Sequence, residues 1–319
     1  MKRWGRTAAG SQRYRCLLCG ITGVRQRPDN QRRYRQALFL AWCTSKQTLT
    51  EFAAMRGVTR QTLTAWFQPF WKHPPSVAPP SHPPNILVLD GTSIESRRLM
   101  VLIAQDPDTS QPVGWAFAAR EQYASWCWFL ASLAQSGVAP KYVVCDGQKG
   151  LLIALRAVWP QVRIQRCIIH IHRQARLWLT LHPKTTAGQE LRMIVGTILT
   201  VRTRRQKRLW LRMFHAWLKR HDSFMKERSF SPEYPKRWWY THRKLRATRS
   251  LIRNSIPNLF TYVSHPEVPR TSNHVEGGVN SRLKELLRSH RGISLEKRVA
   301  LASWYLAFRQ GQKSTRNFT

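Results

Sequence analysis

Three carboxylates stand out in a chain that has few of them. Asp90 follows the apolar run Ile86-Leu87-Val88-Leu89 and precedes Gly91. Asp146 follows Lys141-Tyr142-Val143-Val144-Cys145 and precedes Gly147. Glu276 lies 130 residues beyond Asp146 (276 − 146), just before Gly277-Gly278. The 319 residues hold 16 Asp and Glu against 53 Lys and Arg, a formal net charge of +37. An acid at the tip of a buried strand is a costly place for a lone charge, and a bound cation offsets that cost. Three such carboxylates brought together suit two divalent cations, Mg²⁺ or Mn²⁺, because Mg²⁺ keeps its waters and takes phosphate oxygens as further ligands. A pair of ions so held serves phosphodiester chemistry, activating the attacking oxygen and stabilising the leaving one. Taken singly, each Asp-Gly is also an ordinary strand-to-turn junction. The metal reading requires the three to meet.

The elements around them show how they could. Apolar runs predict strands over Ile86–Asp90, Leu99–Ala104 and Pro112–Ala118, joined by short turns as in an antiparallel meander. A helix over Glu121–Ser136, a strand over Lys141–Cys145, a helix over Gln148–Trp159 and a strand over Val162–Arg166 follow. Three strands, then helix–strand–helix–strand, is the order of a ribonuclease H-like α/β fold, a mixed sheet with flanking helices. In that sheet the first strand neighbours the one after the first helix, so Asp90 and Asp146 end side by side. Glu276 then completes the set from a late helix packed on the sheet. That helix is expected to be capped by Thr271 or Ser272, with Asn273, Glu276 and Asn280 on one face. Gly277 and Gly278 inside it cost about 1 kcal/mol each relative to Ala, so a sheet, a metal-bound substrate or DNA is expected to approach their backbone closely.

Cysteine and histidine offer two further patterns. Cys167-Ile168-Ile169-His170 directly follows the Val162–Arg166 strand and reads as a structural or substrate-positioning pair near the sheet end, with half a zinc site as the alternative. Cys16-Leu17-Leu18-Cys19-Gly20 fits half of a structural zinc site, which takes four ligands. Residues 1–27 therefore resemble the C-terminal half of a zinc ribbon whose first half is missing through a late start or a truncated gene. The segment is expected to hold no stable zinc alone.

Residues 31–71 read as three helices, Arg32–Trp42, Thr48–Met55 and Arg60–Phe67, the last capped by Thr59 and ended by Pro69, with Gly57 at the turn. This is a helix-turn-helix pattern that would present Thr59, Arg60, Gln61 and Thr62 to a major groove. A plain helical packing module is the alternative. Residues 72–84, rich in Pro, form a stiff linker. Residues 171–267 read as an all-helical insertion. Arg204, Arg205, Arg208 and Arg212 lie on one of its helices as phosphate contacts, while Trp210, Met213, Phe214 and Trp217 form that helix's core face. Trp238-Trp239-Tyr240, beside Lys236-Arg237, suits either base stacking or packing. The catalytic fold would then comprise 85–170 and 268–310.

A charge of +37 makes a compact chain repel itself unless a polyanion is its usual neighbour, and nucleic acid is the first candidate. No apolar run reaches the roughly 18 residues of a membrane span. Six scattered cysteines, and no apolar stretch after the charged N-terminus, suggest a reducing cytoplasm.

In their order and spacing, these motifs resemble bacterial insertion-sequence DDE transposases of the Mutator-like branch. The residues that carry the likeness are Leu89-Asp90-Gly91-Thr92, Cys145-Asp146-Gly147-Gln148-Lys149-Gly150, Cys167-x-x-His170, Thr271-Ser272-Asn273-His274-Val275-Glu276-Gly277, His290-Arg291-Gly292 and Trp304-Tyr305-Leu306. The resemblance covers the chain from about 86 onward. It implies that Asp90, Asp146 and Glu276 are a metal-binding catalytic triad, with Cys167 and His170 close by. It also implies Mg²⁺-dependent cleavage at transposon ends and joining of a 3′-hydroxyl to target DNA. The partners would be double-stranded DNA and further copies of the chain, as a homodimer or larger oligomer in the bacterial nucleoid. The alternatives are an inactive or truncated DNA-binding regulator of the same process, and a ribonuclease H-like nuclease without strand transfer.

Overall fold

The computed structural model describes residues 1–311 apart from 9, 25–27, 81, 96–97, 235 and 273–275; for 28, 29, 276 and 277 it describes the backbone alone. The chain divides into two compact units, Met1–Pro74 and Pro75–Thr319.

The first unit begins with a three-stranded antiparallel sheet, β1 (Lys2–Arg6), β2 (Gln12–Arg15) and β3 (Thr22–Val24), in that order. Three helices follow: α1 (Pro28–Cys43), α2 (Leu49–Met55) and α3 (Arg60–Lys72). The Thr48 hydroxyl accepts from the Glu51 backbone N–H, and the Glu51 carboxylate accepts from that of Thr48. This capping box makes the seven-residue α2 start where it does. Gly57 adopts φ +65°, a turn conformation that side chains disfavour. Pro69 was expected to end α3; instead the helix runs through it to Lys72. An interior proline removes one helical hydrogen bond and costs about 3 kcal/mol. The residues beyond it offset that cost, because Phe70 and Trp71 pack on Phe39 at ring distances of 5.3 and 4.7 Å.

The second unit is built on a five-stranded mixed sheet. Its strands are β4 (Ile86–Glu95), β5 (Leu99–Gln105), β6 (Pro112–Ala118), β7 (Tyr142–Cys145) and β8 (Arg163–Arg166), in the order β6-β5-β4-β7-β8. β4, β5 and β6 pair antiparallel; β4–β7 and β7–β8 pair parallel. The helices α4 (Tyr123–Gln135) and α5 (Lys149–Val158) supply the crossovers that parallel pairing demands. They bury Trp126, Phe129, Leu130, Leu151 and Leu155 against Leu87, Leu89, Leu102 and Val143 on one face. Each such side chain contributes about 1.5–3 kcal/mol when fully buried. Ile86, Val88 and Val144 face the other way, toward Val268.

A helical layer follows, made of α6 (Ile168–Leu179), α7 (Thr186–Thr197), α8 (Arg204–Arg220), α9 (Arg243–Leu259) and the short α10 (Thr261–Ser264). Trp210, Phe214 and Trp217 of α8 are buried in its core, as their spacing predicts. The layer is not all helix: β9 (Arg228–Phe230) and β10 (Trp238–Tyr240) form an antiparallel ribbon. Buried Gln165 ties β8 to this layer, donating to the Leu259 carbonyl and accepting from the Tyr262 N–H.

The last block is not one regular helix. Glu276–Asn280 is a π-helical turn, and it leads into α11 (Ser281–Ser289) and then α12 (Leu295–Gly311). Among the described residues no atom lies within 4 Å of where a Cβ on Gly278 would stand, so the sheet is not what approaches its backbone. Among the described residues no helix is long and apolar enough to cross a membrane.

Candidate active site

β4 does not end at Asp90 but continues to Glu95, with Asp90 opposite Ile103 of β5. The expectation of an acid at the strand's last residue is therefore corrected. Antiparallel pairing with β5 carries β4 onward after its parallel partner stops. That parallel partner, β7, ends at Cys145, and its ladder with β4 closes at Val88↔Val144. Asp90 and Asp146 each lie two residues past that pair. Side chains alternate along a strand, so Asp90 continues the face of Ile86 and Val88. Asp146 is the first residue past β7, so two half-buried carboxylates stand at the same level of adjacent parallel strands, past the C-terminal end of their ladder.

Each is held by its surroundings. Asp146 Oδ1 accepts from the Gln148 N–H at 2.9 Å, fixing the turn that leads into α5. Arg166, at the end of β8, donates to the Asp146 carbonyl at 2.9 Å and to Ser255 of α9 at 2.8 Å. Gly147 has φ +83° and lies directly under the Arg166 guanidinium, so no side chain fits there. Burial lowers the Arg166 pKa, opposed by the nearby Cys145, Asp146 and Cys167. Asp90 Oδ2 accepts from the Asn280 side-chain amide, whose residue is 2% exposed. The Asn280 Oδ1 atom is buried and has no hydrogen-bond partner among the described residues. Asn280 closes the π-helical turn that begins at Glu276, so the late segment reaches Asp90 as expected. The Glu276 side chain and all of Asn273 lie outside the described residues.

Cys167 and His170 join this framework from the first turn of α6. The Cys167 N–H donates to the Cys145 carbonyl at 2.7 Å, and its thiol accepts from the Ser272 N–H at 3.4 Å. Burial pushes the thiol pKa up, but hydrogen bonds from His170 and Ser272 outweigh it and leave Cys167 below its ordinary value. Ile168 N–H donates to the Arg270 carbonyl at 3.2 Å. Cys167 and the Ile168 N–H therefore tie the ends of β7 and β8 to the chain at Arg270 and Ser272.

Two contributors were missed from sequence. Arg166 read only as the last residue of a strand. Glu121 read as the first residue of a helix, yet α4 begins at Tyr123 and Glu121 precedes its cap. Its carboxylate packs against Gly91: an added Cβ there would lie 2.8–2.9 Å from the carboxylate carbon and oxygens. Burial raises the Glu121 pKa first and the Asp146 charge second. The signal was Gly91 itself, a glycine inside a strand that marks close approach. Among the described residues no three His, Cys, Asp or Glu side chains already form a metal-binding group. The oxygens of Asp90 and Asp146, with the side chain of Asn280 on Asp90, are nevertheless the hard-ligand chemistry that suits Mg²⁺ or Mn²⁺.

The cysteine knuckle of the first unit is formed. The Gly20 N–H donates to the Cys16 carbonyl at 3.0 Å, Cys16 N–H donates to the Ile21 carbonyl at 2.9 Å, and Gly20 has φ +72°. Backbone N–H groups of Cys19 and Leu18 hold the Cys16 thiol below its ordinary pKa, the direction that favours metal binding. Two thiols do not close a four-ligand zinc site. In α3, Thr59 and Thr62 are engaged with one another as cap residues, whereas Arg60 and Gln61 are exposed. On α8, Arg204, Arg205, Arg208 and Arg212 are all exposed or half-buried at most, and none is ion-paired among the described residues. On the ribbon, Trp239 and Tyr240 are half-buried whereas Trp238 is exposed. Trp238 is 41% and Phe230 59% exposed, while the Arg228, Arg243 and Arg246 guanidinium groups lie 4.1, 5.7 and 3.4 Å from the Trp238, Trp239 and Tyr240 rings.

Residues 85–226 match the model of the transposase Mutator family. A probable transposase for an insertion sequence element from Corynebacterium diphtheriae is 30% identical over 112 residues, 34% of this chain and 33% of that protein. The transposase for insertion sequence element IS905 from Lactococcus lactis subsp. lactis (strain IL1403) is 34% identical over 98 residues, 28% of this chain and 25% of that protein. The matches thus span a third and a quarter of these relatives' lengths.

Proposed function

We propose that the chain is a DNA transposase of the Mutator type, the family whose model residues 85–226 match. It cleaves phosphodiester bonds at transposon ends and joins the 3′-hydroxyl to target DNA at a site formed by Asp90, Asp146 and Glu276. The observation that carries this reading is the register. Asp90 and Asp146 stand two residues beyond the last β4–β7 pair, at the same level of adjacent parallel strands, inside the matched segment. The strand order β6-β5-β4-β7-β8 supports a ribonuclease H-like catalytic fold.

The residues divide the work. Asp90 and Asp146 hold the divalent ions, Glu276 completes their ligand set, and Asn280 keeps the Asp90 carboxylate in place. Two bound Mg²⁺ or Mn²⁺ ions would supply activation of the attacking oxygen and stabilisation of the leaving one. Arg166 fixes the Asp146 backbone, and Cys167 with Ser272 fixes the approach of the late segment. Arg204, Arg205, Arg208 and Arg212 bind DNA phosphates. Arg60 and Gln61 of a helix-turn-helix, held by the Thr59–Thr62 cap, contact bases. The chain acts as a homodimer or larger oligomer on the two DNA ends.

The test is cleavage of a plasmid carrying the element with its flanking DNA. Asp90→Asn is expected to abolish Mg²⁺-dependent cleavage and joining while DNA binding persists. Unchanged cleavage by that variant would overturn the assignment.

A further inference from the structure

Glu121 is placed with more care than a loop residue before a helix requires. Its carboxylate accepts from the Trp126 indole N–H at 3.2 Å, and Trp126 is fully buried. Its carbonyl accepts from the Gln148 side-chain amide at 3.1 Å, two residues past Asp146. Two glycines make room for the arrangement. Gly91, next to Asp90, yields the space that the carboxylate occupies, and a Cβ on Gly150 would lie 2.6 Å from the Tyr123 backbone nitrogen. The strand carrying Asp90, the turn carrying Asp146 and the segment carrying Glu121 are therefore locked together. From the other side, Asn280 is buried and donates to Asp90, and its Oδ1 has no hydrogen-bond partner among the described residues. Among those residues, that buried oxygen calls for a cation or donor, independently of the acids.

We propose that Glu121 is a fourth acidic member of this site, a positioning residue that strengthens binding of the divalent cation held by Asp90 and Asp146. The inference rests on the metal-site reading above. Alternation places Gly91 on the α4 side of β4 and Asp90 on the opposite side, so Glu121 stands one layer behind the ligating face. That position agrees with the absence of a ready three-residue metal group among the described residues. Mg²⁺ retains much of its water, and a carboxylate set back from the ligands acts on the ion through its field and its hydration shell. Groups of this kind change metal affinity by roughly 10- to 100-fold.

Titration calorimetry of the full chain with Mn²⁺ alone tests this. Glu121→Gln keeps an oxygen for the Trp126 N–H and removes the charge. It is expected to leave the melting temperature unchanged and weaken Mn²⁺ binding roughly 10- to 100-fold. Gly91→Ala displaces the carboxylate and is expected to weaken binding in the same direction, while Glu121→Asp, which keeps the charge, falls between. Wild-type affinity in Glu121→Gln, with binding lost in Asp90→Asn, would overturn the role of Glu121 and leave the metal site standing. Equal Mn²⁺ binding by wild type and Asp90→Asn would overturn both.

Discussion

The acid site and the basic face of α8 (Arg204–Arg220) handle charge by opposite means. At the sheet end, carboxylates are few and each is fixed by backbone: Asp146 by the Gln148 N–H and Arg166, Asp90 by its place in a paired strand. On α8, cations are many and solvent-facing, and the helix is anchored from its other side by Trp210 and Trp217, whose indole N–H groups donate to the Ile194 and Ala187 carbonyls at 2.9 Å. A site made of fixed, non-redundant groups fails when one is removed. A face made of several similar groups loses function by degrees. On the proposed function, chemistry lies where position is set by a sheet, and attraction lies where number matters more than position.

The sharpest way to break this contrast is to neutralise one acid. Asp146→Asn is expected to lower DNA cleavage by at least about 10³-fold, equivalent to several kcal/mol of lost charge stabilisation, with DNA affinity within about twofold of wild type. A parallel loss of affinity would show that the acid site also anchors DNA. The next effect is on folding. Trp217→Ala is expected to cost about 3–5 kcal/mol in a urea melt, whereas Trp238→Ala on the ribbon should cost about 1 kcal/mol or less, the scale of an exposed cation–π pair. Equal costs would mean that the ribbon is core and no separate surface.

How far this organisation could be read from sequence differs between the same two regions. Along α8 the 3.6-residue spacing of Trp210, Phe214 and Trp217 was enough, because a helix buries what its own period puts on one side. The five strands of the central sheet were legible as well, whereas the β9–β10 ribbon in a segment read as all-helical was not. The extent of β4 was not, because Asp90 and Gly91 look like a turn unless pairing with β5 is known. Glu121 was hidden more deeply: its role depends on a gap at Gly91, thirty residues away (121 − 91), which only packing reveals. The π-helical turn at Glu276–Asn280 was not legible either, because the spacing of the segment is that of a regular helix. Pro69 was misread because a local rule was outweighed by the aromatic packing of Phe70 and Trp71 on Phe39.

A graded response is the prediction for the basic face. Replacing Arg204, Arg205, Arg208 and Arg212 together by Ala should reduce the slope of log affinity against log salt by about 3–4, close to one for each phosphate no longer neutralised. Single replacements should each remove about one, with cleavage at saturating protein retained. A collapse on removing one arginine would make α8 a second fixed site and erase the distinction.

The cysteine knuckle supplies the smallest and most local test, because it is a fixed geometry with too few donors. Its turn is preformed by the Gly20 and Cys16 hydrogen bonds, yet it offers two thiols where zinc takes four. Zinc is therefore expected to be stripped from the purified protein by a mild chelator without a change in melting temperature; stoichiometric zinc lost in Cys16→Ser would contradict this. Thiol reactivity reports the same preorganisation. The Cys16 pKa is lowered by the Cys19 and Leu18 N–H groups, so its thiolate forms at lower pH than in the unfolded chain, and the thiolate is the reactive form. Cys145, pushed up to about 12 mainly by burial, should resist alkylation until the protein unfolds. Mass-spectrometric mapping after brief iodoacetamide treatment near neutral pH should find Cys16 labelled faster in the native chain than in urea, and Cys145 labelled only in urea. The reverse order for Cys16 would mean that the knuckle's backbone donors do not act on its thiol.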